Sequence, residues 1–387
     1  MISDYFKNYI NKRKCTLLGV GPMSLNCINA TIELANEEEV PIILIASRRQ
    51  IDSHIFGGGY VNNWNTKDFS KYVKERDKKR KIYLARDHGG PWQNSIEVEL
   101  NLDLKSAMDS AKSSFASDID SGFQILHIDP SVDIHSNPNV DEVLNRIFEL
   151  YGFAFEYAKK IGKDIIFEVG TEEQSGGTNS LKELDYILNS LKKFCKKNNF
   201  YTPTFLVAQT GTRVMEMRNV GSFDSHVRIP NELPAVIQIP KIVELCNEHG
   251  ILMKEHNTDY LSNESLKWHP RLGIHAANVA PEFGVTETKA LLNILEFNSL
   301  NNLLDKFLSI SYNSFKWKKW MLENSFSTDK DKSIIAGHYV FSHPDIVEIK
   351  NEAAHFLQKK GIILDEYLKE QVKLSIMRYL KNFRIVR

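Results

Sequence analysis

The sequence predicts a (β/α)8 barrel with a helical extension at its C-terminal end. Three observations carry this. Short apolar runs rich in β-branched residues recur eight times in the first 280 residues, as parallel strands covered on both faces require. Stretches with helical periodicity separate them, the pattern of repeated βαβ units. Eight such units, mostly about 40 residues apart, fit a closed barrel better than an open sheet.

The strand candidates run in order as "CTLLGV" (15–20), "PIILIAS" (41–47), "KIYLAR" (81–86) and "FQILHID" (123–129). They continue as "KDIIFEVG" (163–170), "TFLVAQTG" (204–211), "ILMKEHN" (251–257) and "LGIHAANVA" (272–280). Helical patterns lie between them at 22–36, 103–121, 141–161, 179–198 and 230–249, while the last crossover, 258–271, is short and lacks a clear one. Residues 282–387 read as mostly helical, with a polar loop at 322–333. The expected division is a barrel over 1–281 and a helical extension over 282–387 packed on it. No low-complexity linker separates them.

Composition narrows the partners. The 387 residues hold 49 Lys+Arg and 49 Asp+Glu, a formal net charge of zero. Neither nucleic acid nor an anionic membrane is implied by such a balance. Cys15, Cys27, Cys195 and Cys246 are scattered without CxxC spacing, which excludes zinc-ribbon and disulfide-framework readings. The N-terminal "MISDYFKNYINKRK" has no apolar core, so it is not a secretory signal. No apolar run approaches the roughly 18 residues of a membrane span. The expectation is a soluble cytoplasmic protein.

In such barrels the active site lies at the C-terminal ends of the strands. Those ends carry Arg48 and Arg49, Asp87 and His88, Asp129, Glu172 and Glu173, Gln209, His256 with Asp259, and Asn278. Two histidines and several carboxylates thus converge on one mouth, a ligand set common for zinc or another divalent ion. In "ARDHGGP" (85–91) the two glycines let backbone approach a ligand closely beside Asp87 and His88. The Arg48–Arg49 pair suits a phosphate or carboxylate. Asp129 also suits a helix cap, and Glu172 and Glu173 also read as solvated loop charges. His127 and His275 lie inside strands and read as core histidines rather than ligands. "HIFGGGY" (54–60) is not a GxGxxG turn after a strand, so no dinucleotide fold is expected.

"IASRRQ…FGGGY", "DHGGP", "GFQILHIDPS", "VGTEEQSGG" and "EHNTDY" occur in that order. The set resembles the family of the tagatose-bisphosphate aldolase non-catalytic subunit, the GatZ/KbaZ proteins, and the resemblance continues into the C-terminal helices. That family is similar to class II metal-dependent aldolases and to ketose-phosphate 4-epimerases. The resemblance implies acid–base work for Asp87, metal ligation by His88 and His256, and a glutamate near the metal at Glu172, with Glu168 the less favoured match. It also implies a departure: Gln209 stands where catalytic aldolases have a metal-binding histidine. "NTDY" replaces their Gly-Ser phosphate loop, so the phosphate-binding mode does not carry over. Arg48 and Arg49 replace uncharged residues of the family, which points to a different or more anionic substrate.

The function expected from residues and resemblance together is metal-dependent chemistry on a phosphorylated ketose. A divalent ion, zinc first and manganese, cobalt or nickel next, is expected on His88, His256, Glu172 and Gln209. Asp87, Asp259 and Glu172 are the expected catalytic groups, and Arg48, Arg49, Asp129 and Asn278 the expected substrate contacts. Aldol cleavage and C4 epimerisation share the enediolate that such a site stabilises. The alternative is a non-catalytic subunit that binds and stabilises a separate aldolase. A homo-oligomer is expected in either case.

Overall fold

Eight parallel strands close on themselves. β1 (Leu17–Val20), β2 (Ile42–Ser47), β3 (Ile82–Gly89), β4 (Ile125–Ile128), β5 (Ile166–Val169), β6 (Phe205–Val207), β7 (Leu252–Glu255) and β8 (Ala276–Val279) pair in chain order, and β8 returns to β1. The computed structural model describes residues 1–171, 180–223 and 234–387. Each strand lies within one of the eight apolar runs, except that β3 continues past its run to Gly89. A small antiparallel ribbon, Val214–Met215 with Arg218–Asn219, follows β6.

Helices alternate with the strands, and several start at side-chain caps. Ser24 accepts from the Cys27 N–H at the start of Leu25–Glu37, and Asp103 accepts from the Ser106 N–H at the start of Leu104–Ser121. Asn139 and Glu142 form a reciprocal capping box at the start of Val140–Lys160. The short crossover before β8 does hold a helix, Asn263–Leu272, capped by Ser262 and ended by Gly273 in the left-handed region at φ 83°. Its ten residues and the internal Pro270 obscure the periodicity that longer helices show.

The barrel floor is sealed by the first helix, Ile2–Arg13. Phe6 and Ile10 insert among Leu17, Ile43, Ile125 and Phe205 from the lower ends of the strands. Full burial of each such side chain stabilises by about 1.5–3 kcal/mol. The C-terminal segment does more than pack on the outside. Its last helix, Leu364–Asn382, lies against the helix after β1, the helix before β8 and β1 itself. Val372, Ile376 and Leu380 join the barrel core there, and the Phe383 carbonyl accepts from the Thr16 N–H at 3.1 Å. The helices Pro281–Phe297, Asn301–Asn313 and Pro344–Gln358 build a separate apolar cluster around Leu291, Phe307 and Ile349.

All four cysteines are buried free thiols. Burial pushes the Cys27 thiol up to about 12, which leaves it protonated and inert at neutral pH. Among the described residues no helix is long and apolar enough to cross a membrane.

Candidate metal centre and active site

Side chains along a barrel strand alternate between the interior and the surrounding helices. On β3 this sorts the Arg-Asp-His run. Arg86 turns outward and is fully buried against the helix Leu104–Ser121, donating to Asp118 at 2.8 and 2.6 Å. It also donates to the carbonyls of Ala46 and Ile51, so its charge serves the scaffold. Asp87 turns inward. The pairing with β4 then slips between Arg86 and Gly89, and His88 takes a left-handed φ of 47°. This bulge re-aims the His88 ring into the mouth. Gly90 is required by close approach: a Cβ there would lie 2.0 Å from the Asp129 carbonyl oxygen.

The same alternation brings His127 and Asp129, Glu168, Lys254 and His256, and Asn278 to the inner face above the apolar floor. His256 Nε2 lies 2.8 Å from Glu168 Oε1, 3.1 Å from Asn278 Nδ2 and 3.9 Å from Asp87 Oδ1. His127 Nδ1 lies 3.7 Å from Asp87 and 3.9 Å from Glu168, and it accepts from the His88 backbone N–H at 3.2 Å. His88 Nδ1 meets Asp129 Oδ2 at 2.6 Å. Asn278 donates to Asp87 at 3.2 Å. Asp87, His88, His127, Asp129, His256 and Asn278 line a cavity of about 550 Å³ at the top of the barrel, with Glu168 and Lys254 buried behind them.

Neighbouring charges shift several of these groups in the absence of a metal ion. Burial raises the Asp87 carboxyl, but the neighbouring His88, His127 and His256 more than reverse this and hold it well below the usual range. Burial likewise raises Glu168, and the Lys254 ammonium, chief among its neighbours, brings it down to about 2. Partial desolvation lowers His88, whose side chain stays part-exposed, yet Asp87 and Asp129 lift it to about 9. His256 is lowered by its burial. Asp259, closed off from water, rises to about 7, although it accepts from the N–H groups of Ala280 and Glu282 at 3.0 and 2.8 Å.

Two overlapping sets suit a metal ion. The ligand atoms of Asp87, His127, Glu168 and His256 all lie within 4.8 Å of one another, as do those of His88, His127 and His256. Imidazole with carboxylate is a donor set for zinc and its neighbours. Two buried polar atoms in this cluster, His127 Nε2 and Asn278 Oδ1, have no hydrogen-bond partner among the described residues. The residues present therefore fit a divalent ion.

The family model described as D-tagatose-1,6-bisphosphate aldolase subunit GatZ/KbaZ-like matches residues 3–302. The chain belongs to this family. No curated protein matches it. Among solved structures, a probable tagatose 6 phosphate kinase from Sinorhizobium meliloti 1021 superposes with a TM-score of 0.70 at 16% identity, covering 95% of this chain and 100% of that one. A fructose-bisphosphate aldolase from Campylobacter jejuni gives 0.56 at 12% identity, over 100% of this chain and 93% of its own. The fructuronate-tagaturonate epimerase UxaE from Cohnella laeviribosi gives 0.58 at 10% identity, over 95% and 81%. At such identities the likeness is one of fold.

Within this GatZ/KbaZ-like chain, the structure gathers Asp87, His88, Asp129, His256, Asp259, Asn278 and Arg49 around the cavity. It places Arg48 differently from the sequence expectation. The Arg48 guanidinium is buried and turned away from the mouth, with Asp52 at 2.9 Å and Glu97 at 2.6 Å. Gln209 is buried beyond β6 and is not among the residues lining the cavity. Glu172 lies outside the described residues, as does Glu173. The cluster instead includes Glu168, the less favoured match, and His127, read as a core histidine. His127 is buried, and it is also a potential ligand. The missed signal was parity: His127 is two residues past inward Ile125, and Glu168 two past inward Ile166.

Proposed function

We propose that this chain is a metal-dependent enzyme that acts on a phosphorylated ketose, by aldol cleavage or by C4 epimerisation. One observation carries the reading: the convergence of Asp87, His127, Glu168 and His256 at metal-ligand spacing, with His88 at the rim of the same cavity. His88, His127 and His256, with Glu168 or Asp87, would hold the ion, zinc first and manganese, cobalt or nickel next. When bound, a divalent ion polarises a substrate carbonyl as a Lewis acid. Asp87 faces the cavity beside the metal cluster, which positions it for proton exchange with a bound substrate. Asp259, at about 7, holds a proton near neutrality and suits the matching donor. Asn278 donates to Asp87 and fixes its orientation.

The test is bound metal in purified protein, wild type beside His127→Ala and His256→Ala, followed by a screen of ketose phosphates for cleavage and epimerisation. Stoichiometric metal in the wild type, lost from both variants, supports the reading. Absence of metal after supplementation overturns it.

The family description, an aldolase subunit, favours a second reading. On it, the chain binds and stabilises a separate class II aldolase, and the mouth residues hold a ligand without turnover. Co-elution with such an aldolase, and stimulation of it by an Asp87→Asn variant as strong as by the wild type, would support that role. Assembly as a homo-oligomer and a cytoplasmic location belong to both proposals.

A further inference from the structure

Arg48 and Arg49 are neighbours in sequence with opposite fates. Arg48 is neutralised inside the protein. Arg49 is solvent-accessible, lines the mouth and has no acidic partner among the described residues. A second cation without an acidic partner among the described residues faces the same cavity from a distant part of the chain. Lys319 belongs to a short 3-10 turn, Lys318–Trp320, in the C-terminal extension.

The position of Lys319 is built. Its ammonium lies 4.7 Å from the ring centre of Trp320 and 5.2 Å from that of Tyr339, an aromatic bed for a cation. Trp320 Nε1 donates to the Tyr339 hydroxyl at 3.1 Å, and the Trp320 carbonyl accepts from the Glu216 N–H at 2.7 Å. Tyr339 packs on Tyr60 with ring centres 4.9 Å apart. Tyr60 in turn donates its N–H to the Arg49 carbonyl at 3.2 Å, and its own carbonyl accepts from Ser342 at 3.0 Å. One continuous set of contacts therefore holds the Lys319 turn against the Arg49 loop.

Among the described acids of the mouth, none neutralises these cations. Asp87 and Asp129 are engaged by histidines, and Asp259 by backbone N–H groups. Lys319 is exposed at the mouth as a residue, while partial desolvation of its ammonium and then the like charge of Arg49 lower it to about 8. Arg49 and His88 line the same cavity, which places this positive region beside the metal cluster. Like charges held together in a concave site are relieved by a bound anion.

We infer that Lys319 and Arg49 form the subsite for the anionic group of the substrate, a phosphate or a carboxylate, so that the C-terminal extension completes the recognition surface of the barrel. The inference rests on the enzymatic reading for the identity of the substrate, but the anion site itself is testable without turnover.

The experiment is calorimetric titration of the full chain with inorganic phosphate and, separately, with acetate. Wild type is compared with Lys319→Met, Arg49→Met, Lys319→Arg and Lys318→Met, and bound metal and thermal midpoint are measured on every preparation. Loss of one charge-assisted pair is expected to weaken anion binding by about tenfold or more in Lys319→Met and Arg49→Met. Lys319→Arg keeps most of the affinity. Lys318→Met, whose ammonium lies over Phe315, is expected to match the wild type. Phosphate binding that weakens in this pattern supports the inference with phosphate as the group read, and acetate binding that does so supports it with carboxylate. Anion binding equal in all variants, or absent from the wild type, overturns it. Loss of metal with the anion pattern intact defeats the metalloenzyme reading and leaves the anion site standing.

Discussion

Lys254 and Glu168 form an ion pair inside the barrel: Nζ lies 2.6 Å from Oε2, and each side chain is 1% exposed. The pair sits directly beneath His256, which shares the other carboxylate oxygen. Removing one member of a buried pair leaves the other uncompensated, at a cost of about 3–5 kcal/mol. Lys254→Met is therefore expected to lower the urea midpoint sharply, and Lys254→Met with Glu168→Leu to recover most of the loss. A single variant as stable as the wild type would show that Glu168 does not carry its charge there.

Arg48 and Arg49 give a second contrast, this time between stability and binding. Arg48 is held by Asp52, Glu97, the Gly90 carbonyl and Ser110. Arg48→Met strands two buried carboxylates and is expected to cost about 3–5 kcal/mol. Arg49→Met removes an accessible side chain and is expected to stay within about 0.5 kcal/mol of the wild type. Denaturant melts of the two variants decide this. Equal midpoints would contradict the assignment of Arg48 to the scaffold.

This contrast shows what the sequence made legible. The strands were readable because parallel barrel strands are largely apolar on both faces, and most of the eight runs carried that pattern. Asp87, His88, Asp129, His256 and Asn278 line the cavity as their places at strand ends predict; their roles there remain proposals. Arg48 was misplaced because adjacent residues after a strand point in different directions, and only the fold shows which one meets Asp52 and Glu97. His127 and Glu168 were underrated because a polar residue within a strand looks the same whether it faces the barrel axis or a helix. Lys254 and Glu255 show the ambiguity on one strand. Lys254 faces inward to Glu168, while Glu255 faces out to His269 at 2.6 Å. Lys319 had no local signal, since nothing near it in sequence indicates a barrel mouth.

Asp259 gives the chain a pH dependence opposite to that of ordinary paired carboxylates. Its folded-state value of about 7 stands above the ordinary 3.8, because burial disfavours its charge. Between those values the folded chain binds more protons than the unfolded one, so stability falls as pH rises. The contribution is fully present below about pH 4 and is lost through about pH 7. Asp259→Asn keeps an acceptor for the Ala280 and Glu282 N–H groups and carries no charge. It is expected to be near-neutral at pH 4 and stabilising, on the order of a few kcal/mol, at pH 8. Denaturant midpoints at the two pH values check this. A variant whose stability difference from wild type is the same at both would remove Asp259 as the titrating group.

Gly170 follows β5 directly and borders the site, and its missing side chain is part of the geometry. A Cβ there would lie 2.6 Å from His127 Nε2, closer than non-bonded atoms tolerate. Gly170→Ala must therefore displace the His127 ring or shift the strand, at about 1–3 kcal/mol. If His127 is a ligand, the displaced ring also weakens metal binding, by about 10–100-fold, the scale for disturbing the surroundings of a metal ligand. In a His127→Ala background the new methyl group has room, so the two substitutions are expected to couple favourably in a double-mutant cycle. Thermal midpoints and zinc affinities of the wild type, both single variants and the double variant measure that coupling. Strong coupling in stability with none in metal affinity would keep His127 in the core and remove it from the metal site.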